Sequence, residues 1–377
     1  MISSINSIMY NLELLNKRNS KVTYQMGSEK ALQYGSDDTQ QYNKILNIEN
    51  NVKSYGSLLD RIQSSSVYNT TSDTAVTSMK TSMESVKGLV TKALTATTNS
   101  ENKVTIANEI ESLKNTIYSL SNTKIDGQYL FSGKDSSVET FKKDVTTGKI
   151  SYASTNDNKT INVENNVYNL QGVNGIELLY YTNQIATIGK DLTFDENEII
   201  LDKEGNQYKL VDTNSDDIYD GLYLNGDTSN STLAITANSD GSFTVNNSTN
   251  TTLQSKHSTF DYLDTVINAL KQQDSNGYSI TQDEATTILS TALDKFENAY
   301  DEMNITHAKL GTRTASINNY ENIVQTKLTN LKIFQETYSS ADLTTLAIES
   351  QSLQNTYTAL YSTINKINNL SLVNYLN

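Results

Sequence analysis

The sequence predicts a mainly α-helical protein with a β-rich insert: a long antiparallel helical coiled-coil rod built from both termini, and a β domain in the middle of the chain. Three observations predict it. Apolar residues recur at alternating three- and four-residue spacing toward both ends, proline is absent, and after Gly127 the spacing gives way to short β-type runs that continue to about residue 257. Three-four spacing makes one apolar stripe per helix and seats it against a partner helix. Without proline nothing breaks a helix interior sterically. At 377 residues the chain has room for about two or three domains.

The first seam runs through Ile5, Ile8, Leu12, Leu15, Val22 and Met26, interrupted only by Asn19. It stops in the stretch from Gly27 to Asp38, where Ser36-Asp37-Asp38 reads as a turn whose carboxylates cap the next helix. The spacing resumes at Ile45, Ile48, Val52, Tyr55, Leu59 and Ile62, and a further run follows at Val76, Met79, Met83, Val86 and Val90. Thr98-Asn-Ser-Glu101 reads as a capping box opening a helix that carries Ile106, Ile110, Leu113, Ile117 and Leu120.

In the middle of the chain, Ile199-Ile-Leu201 and Tyr208 to Val211 flank Gly205-Asn206, and Leu233 to Thr236 and Phe243 to Val245 flank Asp240-Gly241. Both arrangements read as hairpins. The helical period returns at Phe260, Leu263, Ile267 and Leu270, breaks at Asp274 to Gly277, and restarts behind a second capping box, Thr281-Gln-Asp-Glu284. A long seam then includes Leu289, Leu293, Phe296, Tyr300, Met303, His307, Leu310, Ile317, Val324, Leu328 and Leu331. The final segment starts near Asp342 and carries Leu343, Leu346, Leu353, Tyr357, Leu360, Ile364 and Ile367.

This order divides the chain into a terminal coiled-coil polymerisation domain (1–44 with 336–377), a helical rod (45–140 with 258–335) and a central β-rich outer domain (141–257). Ile45, Ile48, Val52, Leu59, Ile62, Leu289, Leu293, Phe296, Leu310, Val324 and Leu328 are the expected rod core. Ile5, Ile8, Leu12, Leu15, Val22, Leu343, Leu346, Leu353, Tyr357, Leu360, Ile364 and Ile367 are the expected seam between subunits. Polar residues such as Asn19 and Ser350 interrupt the outer stripes, so each outer helix is marginal alone and folds when neighbours complete its groove.

Composition excludes several classes of function. With 29 basic against 43 acidic residues the net charge is −14, which repels nucleic acid. There is no cysteine, and two histidines leave little for a histidine-rich metal site. No cofactor or metal is therefore expected. No apolar run approaches the ~20 residues that span a bilayer, so no membrane insertion is expected. The N-terminus lacks the basic start and apolar h-region of a signal peptide.

Three stretches resemble the bacterial flagellin and hook-associated protein family: Gly27-Ser-Glu-Lys-Ala-Leu-Gln-Tyr-Gly-Ser-Asp-Asp38, Ile106-Ala-Asn-Glu-Ile110 on to Gly127-Gln-Tyr-Leu-Phe-Ser-Gly133, and Leu353 to Leu360 on to Leu370-Ser-Leu-Val-Asn-Tyr-Leu376. The resemblance covers roughly 1–140 and 258–377. Within the family, the Gln128 to Gly133 stretch and the C-terminal ending resemble hook-filament junction members more than filament flagellin. The Gly27 to Asp38 segment is two residues longer than usual, and Thr39 stands where junction members often have proline. The resemblance implies a flagellin-like fold and a non-enzymatic adapter on which flagellin assembles. Its implied partners are flagellin, the larger hook-associated junction protein, copies of itself in a ring, and a cytoplasmic export chaperone at the C-terminal helix. Export by the flagellar type III apparatus to an extracellular location is implied as well. The rival readings are filament flagellin itself and a surface adhesin or hydrolase module carried by the central domain.

Other motifs are weaker. His307 occupies a seam position and is assigned no chemistry. Asp212 to Asp217 begins like an EF-hand, but Asp217 and Tyr223 hold the positions that require glycine and glutamate, so it reads as a solvated turn. The sequons at Asn158 and Asn230 are expected by chance in a chain so rich in Asn, Ser and Thr. The tyrosines, 23 in all, read as interface packing.

Overall fold

The computed structural model describes residues 2–95, 99–164, 166–214, 218–229, 232–248 and 251–375, with side-chain burial described from residue 6 to 366, residue 232 excepted. Seven helices are present among them: α1 (Ile2–Ser28), α2 (Thr39–Ala93), α3 (Ser100–Ser121), α4 (Gly175–Leu179), α5 (Thr259–Leu270), α6 (Gln282–Ser339) and α7 (Leu343–Tyr375). The strands are β1 (Lys124–Ile125), β2 (Gln128–Tyr129), β3 (Phe141–Lys143), β4 (Ile150–Tyr152), β5 (Lys159–Glu164), β6 (Val167–Gln171), β7 (Tyr180–Ala186), β8 (Asp191–Phe194), β9 (Ile199–Asp202), β10 (Gln207–Val211), β11 (Gly221–Leu224), β12 (Thr232–Leu233), β13 (Ile235–Ala237), β14 (Phe243–Asn246) and β15 (Leu253–Ser258). The architecture is long N- and C-terminal helices with a β-rich region between them. The chain packs into two compact units, Met1–Asp60 with Asn322–Asn377 and Arg61–Glu321.

In the terminal unit α1 ends at Ser28, and Glu29 takes a left-handed conformation (φ 58°) that turns the chain out of the helix. The connector then pairs with the break between α6 and α7: Ala31 N–H donates to Ser339 O at 2.8 Å and Ala341 N–H to Glu29 O at 2.9 Å. Asp38 Oδ1 accepts from the N–H groups of Gln40 (3.0 Å) and Gln41 (2.9 Å), capping α2 as the sequence predicts. Further along this unit, Gln41 Nε2 donates to Tyr338 O at 2.7 Å and the Lys44 ammonium lies 3.9 Å from the centre of the Tyr338 ring. Ile48, Leu58 and Leu59 of α2 and Val324 and Leu328 of α6 are buried in this unit.

The runs at Ile45 to Ile62 and Val76 to Val90 lie on one 55-residue helix, α2. Between them Ser65, Tyr68, Asn69 and Ser72 are buried at the same three-four spacing, so the stripe continues through residues that an apolar count passes over. Ser72 satisfies its hydroxyl on Tyr68 O, four residues back.

In the inner unit α2 and α6 are antiparallel, as successive links run down one and up the other: Ser66 to Asn318, Asp73 to His307, Glu84 to Tyr300 and Lys87 to Glu297. His307 Nε2 sits 2.8 Å from Asp73 Oδ1 at the edge of the seam. Val76, Met79, Met83, Val86 and Val90 of α2 close a core with Ile106, Ile110 and Ile117 of α3, Phe260, Leu263 and Val266 of α5, and Leu289, Phe296, Met303 and Leu310 of α6. The cap of α3 is Asn99, whose side chain accepts from Asn102 N–H at 2.8 Å. The expected Thr98 lies outside the described residues, and the working cap falls one position later. The second capping box forms as the sequence predicts, with Glu284 accepting from Thr281 N–H at 2.8 Å.

The stretch from Gln128 to Gly133 forms a structural hub of this unit. Asp126 and Gly127, both at positive φ (49° and 77°), turn β1 into β2. Leu130 and Phe131 are fully buried, Ser132 donates its hydroxyl to Val138 O at 2.6 Å, and Phe131 O accepts from Gly175 N–H at 2.8 Å. Gly133 has φ 63°, and a Cβ there would lie 2.1 Å from Asp157 O, so only glycine fits.

The β region holds a six-stranded antiparallel sheet in the order β12-β11-β10-β9-β15-β7, a three-stranded sheet β13-β14-β8, and hairpins β3-β4 and β5-β6. Strand β9 has two covered faces: Ile200 packs with Leu192, Phe194, Leu222, Val245 and Leu253 in the core of the sheets, while Ile199 and Leu201 join the helical core. Alternation along a strand sends neighbours to opposite faces, so a continuous apolar run is what β9 needs. It forms the expected hairpin with β10. The second expected hairpin is split. Ile235 to Ala237 pair with β14, whereas Leu233 pairs with Leu222 in the larger sheet. The chain changes sheets at Ala234, and both Leu233 and Ile235 still pack on the same core.

Of the weaker motifs, residues 215–217, 230 and 231 lie outside the described residues. No described helix is long and apolar enough to cross a membrane.

Candidate functional site

The candidate site is the apolar surface of the terminal helices. α1 and α7 run antiparallel, with Arg18 Nε 2.9 Å from Glu349 Oε1 and Tyr357 donating its hydroxyl to Asn16 Oδ1 at 2.7 Å. Between them Val22, Leu346 and Leu353 are buried, with Leu15 and Ala341 packed alongside. Two helices cover each other along one strip only, because each offers its partner about a third of its circumference.

The predicted seam is therefore brought together but only part-filled. Ile8, Leu12, Leu15, Tyr357, Leu360 and Ile364 are half-buried, Leu343 is exposed, and the side chains of Ile5 and Ile367 lie outside the described residues. Beside the strip, Met9, Tyr10, Leu14, Ile348 and Tyr361 are each more than half exposed, and so are Ile333 and Phe334 of the same unit. Heptad counting missed this second set because it follows one stripe. The four-residue step from Tyr10 to Leu14 was its only local signal.

Of the predicted rod core, Ile48, Leu59, Ile62, Leu289, Phe296, Leu310, Val324 and Leu328 are buried, and Ile45, Val52 and Leu293 are half-buried. Residues 45–60 and 322–335 pack within the terminal unit.

Carboxylates hold the helix ends around this surface. Asp37 Oδ2 accepts from the N–H groups of Tyr34 and Gln33, both at 3.0 Å, and Lys21 Nζ lies 3.8 Å from its other oxygen. The Tyr34 N–H above all holds the Asp37 carboxyl below the ordinary carboxylate value, against a smaller opposing effect of burial. Asp342 caps α7 through the Thr345 hydroxyl (2.7 Å) and the N–H groups of Thr344 and Thr345, and the hydroxyl bond is the main reason its carboxyl is also held low. Nothing in this set supplies a positioned nucleophile and base. What the surface offers is apolar area, tyrosine rings and capped helix ends, which suits binding to other helices.

No protein-family model and no curated protein matches this chain. Solved structures do. Flagellar hook-associated protein 3 from Legionella pneumophila superposes with a TM-score of 0.53 at 14% identity, over 78% of this chain and 98% of that one. FlgL of Xanthomonas campestris superposes with a TM-score of 0.50 at 17% identity, over 76% of this chain and 97% of that one. At such identities it is the fold that is shared with these two structures: long N- and C-terminal helices with a β-rich region between them in sequence.

Proposed function

We propose that this protein is a structural subunit of the bacterial flagellum, an adapter at the junction of hook and filament on which flagellin assembles. The observation that carries the proposal is the terminal helix pair, whose predicted seam is only part-filled and whose Met9, Tyr10, Leu14, Ile348 and Tyr361 stand exposed. Exposed large apolar side chains on both helices, beside a seam left part-filled, suit surfaces that other chains cover. The likeness in fold to hook-associated proteins supplies the setting.

In this reading 1–44 with 336–377 polymerise with copies of the same chain in a ring, with flagellin and with the larger hook-associated junction protein. Residues 45–140 with 258–335 stiffen the subunit, and 141–257 form an outer domain. The protein is not an enzyme, and it reaches the cell exterior through the flagellar type III apparatus. Before export, a chaperone shields the stripe of α7. Leu353→Asp combined with Leu360→Asp should abolish that complex, which calorimetry with the purified chaperone tests.

Deleting the gene should leave cells with hooks but no filaments, non-motile, and shedding flagellin into the medium. Complementation with Tyr10→Asp plus Leu14→Asp should restore export of the adapter but not filaments. Motile filaments of full length on the deletion strain would overturn the proposal. Hooks with no secreted flagellin would instead identify the chain as the filament subunit.

A further inference from the structure

A second site lies in the inner unit, where three residues that the sequence keeps apart converge. Asp195, just after β8, Glu198, just before β9, and His257 of β15 bring one ligand atom each within 4.8 Å of one another. The turn that places both acids is closed by Glu198 N–H donating to Asp195 O at 2.9 Å. His257 is set beside it because β15 pairs with β9 on one side, Lys256 opposite Ile199, and with β7 on the other, His257 opposite Tyr181.

Several polar atoms here are short of partners. The Glu198 side chain is only 1% exposed. Its Oε1 accepts from Asn183 Nδ2 at 2.6 Å and lies 3.2 Å from His257 Nδ1, while its Oε2 is buried without a hydrogen-bond partner. The hydroxyls of Tyr181 and Tyr262 are also buried without partners, and both residues line a cleft of about 350 Å³ together with Asp195 and His257. A buried carboxylate oxygen with nothing to accept from is costly. His257 Nδ1 reaches only Oε1, so even a donating imidazole leaves Oε2 without a partner. A cation held by Oε2 and the imidazole removes that defect.

We propose that Asp195, Glu198 and His257 form a binding site for a first-row divalent cation, zinc above all, that fastens the β8–β9 turn to β15 where the insert returns to the helices. Two carboxylates and one neutral imidazole balance a doubly charged ion. One nitrogen with two oxygens fits zinc better than calcium or magnesium, which take oxygen ligands. Ligand atoms around tetrahedral zinc stand about 3.3 Å apart, so the set must contract slightly. Asp195 is the exposed member and free to close. Three protein ligands leave a position for water, for which the Tyr181 and Tyr262 hydroxyls are at hand in the same cleft. Strand β15 runs directly into α5, whose cap is Ser258, so the ion would hold the residue next to that cap.

The test uses full-length protein treated with chelator and then titrated with Zn²⁺ by calorimetry and with Co²⁺ by visible absorption. With no cysteine and only two histidines in the chain, competing sites are few. One ion per chain should bind, with cobalt bands diagnostic of nitrogen-oxygen coordination. His257→Asn and Glu198→Gln should weaken zinc at least a hundredfold. Asp195→Asn, at an exposed position that leaves folding intact, should weaken it at least tenfold. His307→Asn, which removes the other histidine, should change nothing. Failure of the unaltered protein to bind zinc, or affinity unchanged by both Asp195→Asn and His257→Asn, would overturn the proposal and leave a plain His257–Glu198 ion pair.

Discussion

The terminal and inner units follow the same three-four spacing and the same avoidance of proline, yet one leaves its apolar surface open and the other seals it. In the inner unit Val76, Met79, Met83, Val86 and Val90 have no exposed surface, because α3, α5, α6 and the buried side of the insert surround them. In the terminal unit Tyr10, Leu14 and Ile348 stay exposed, and among the described residues α1 and α7 bury only Val22, Leu346 and Leu353 as a cluster. A heptad pattern therefore specifies a stripe to be covered and leaves open how many neighbours do the covering. Helices that find their neighbours within the chain form a stable core, and under the proposed function those that do not are completed by other subunits.

Truncation of core side chains should break the symmetry between the units most strongly. Leu310→Ala and Phe296→Ala, both at buried positions of α6, should each cost about 2–5 kcal/mol in denaturant unfolding. Leu14→Ala, at a position 54% exposed, should stay within about 0.5 kcal/mol. Equal losses at Leu14 and Leu310 in the isolated chain would mean that the terminal unit is as closed as the inner one.

One substitution made at two glycines should change sign between the units. Gly133→Ala forces a Cβ into the Asp157 carbonyl at a left-handed φ of 63°, and should destabilise by about 2 kcal/mol or more. Gly27→Ala lies in the last turn of α1 with nothing within 4 Å of the added Cβ, and should stabilise that helix by roughly 0.5–1 kcal/mol. Thermal unfolding followed by circular dichroism distinguishes the two directions.

Acid should affect the stability of the two units in opposite directions. Burial at the start of α5 pushes the Asp261 carboxyl up to about 6, opposed by the charge of His257. The folded inner unit then holds a proton that the unfolded chain releases at about 3.8, so its stability rises as pH falls from above 6 toward 4, by on the order of 2 kcal/mol. Asp37 and Asp342 are held below 3.8, so the stability they give the terminal helix ends is present above that value and is lost as pH falls below it. Calorimetry in metal-free buffer should show the inner transition moving to higher temperature between pH 7 and pH 4.5. Asp261→Asn should abolish that movement.

The smallest effect concerns the turn out of α1. Glu29 holds a left-handed conformation that glycine adopts without strain, so Glu29→Gly should stabilise the terminal unit by about 1 kcal/mol while leaving the inner transition unmoved. A loss of stability on this substitution would mean that the Glu29 side chain, and not its backbone, holds the connector.

Local signals in the sequence specify the long helices, their order and most of their ends, but not the short α4 within the β-type stretch. Three-four spacing, the Thr281-Glu284 box, Asp38 and Asp342 are local signals, each acting within a turn or two of the chain, and each appears in the structure where the sequence places it. The sequence by itself also specifies the β9–β10 hairpin, since Gly205-Asn206 lies between two β-type runs. Which stripes are filled is visible only once the chain is folded, because burial depends on elements far apart in sequence. The tertiary structure decided that Ser65, Asn69 and Ser72 continue the apolar stripe of α2 and that Leu233 leaves Ile235 for another sheet. The meeting of Asp195 and Glu198 with His257 had the same cause. Strands β9 and β15 are adjacent in the sheet and distant in sequence, and side-chain chemistry at one says nothing of its neighbour until the register is known.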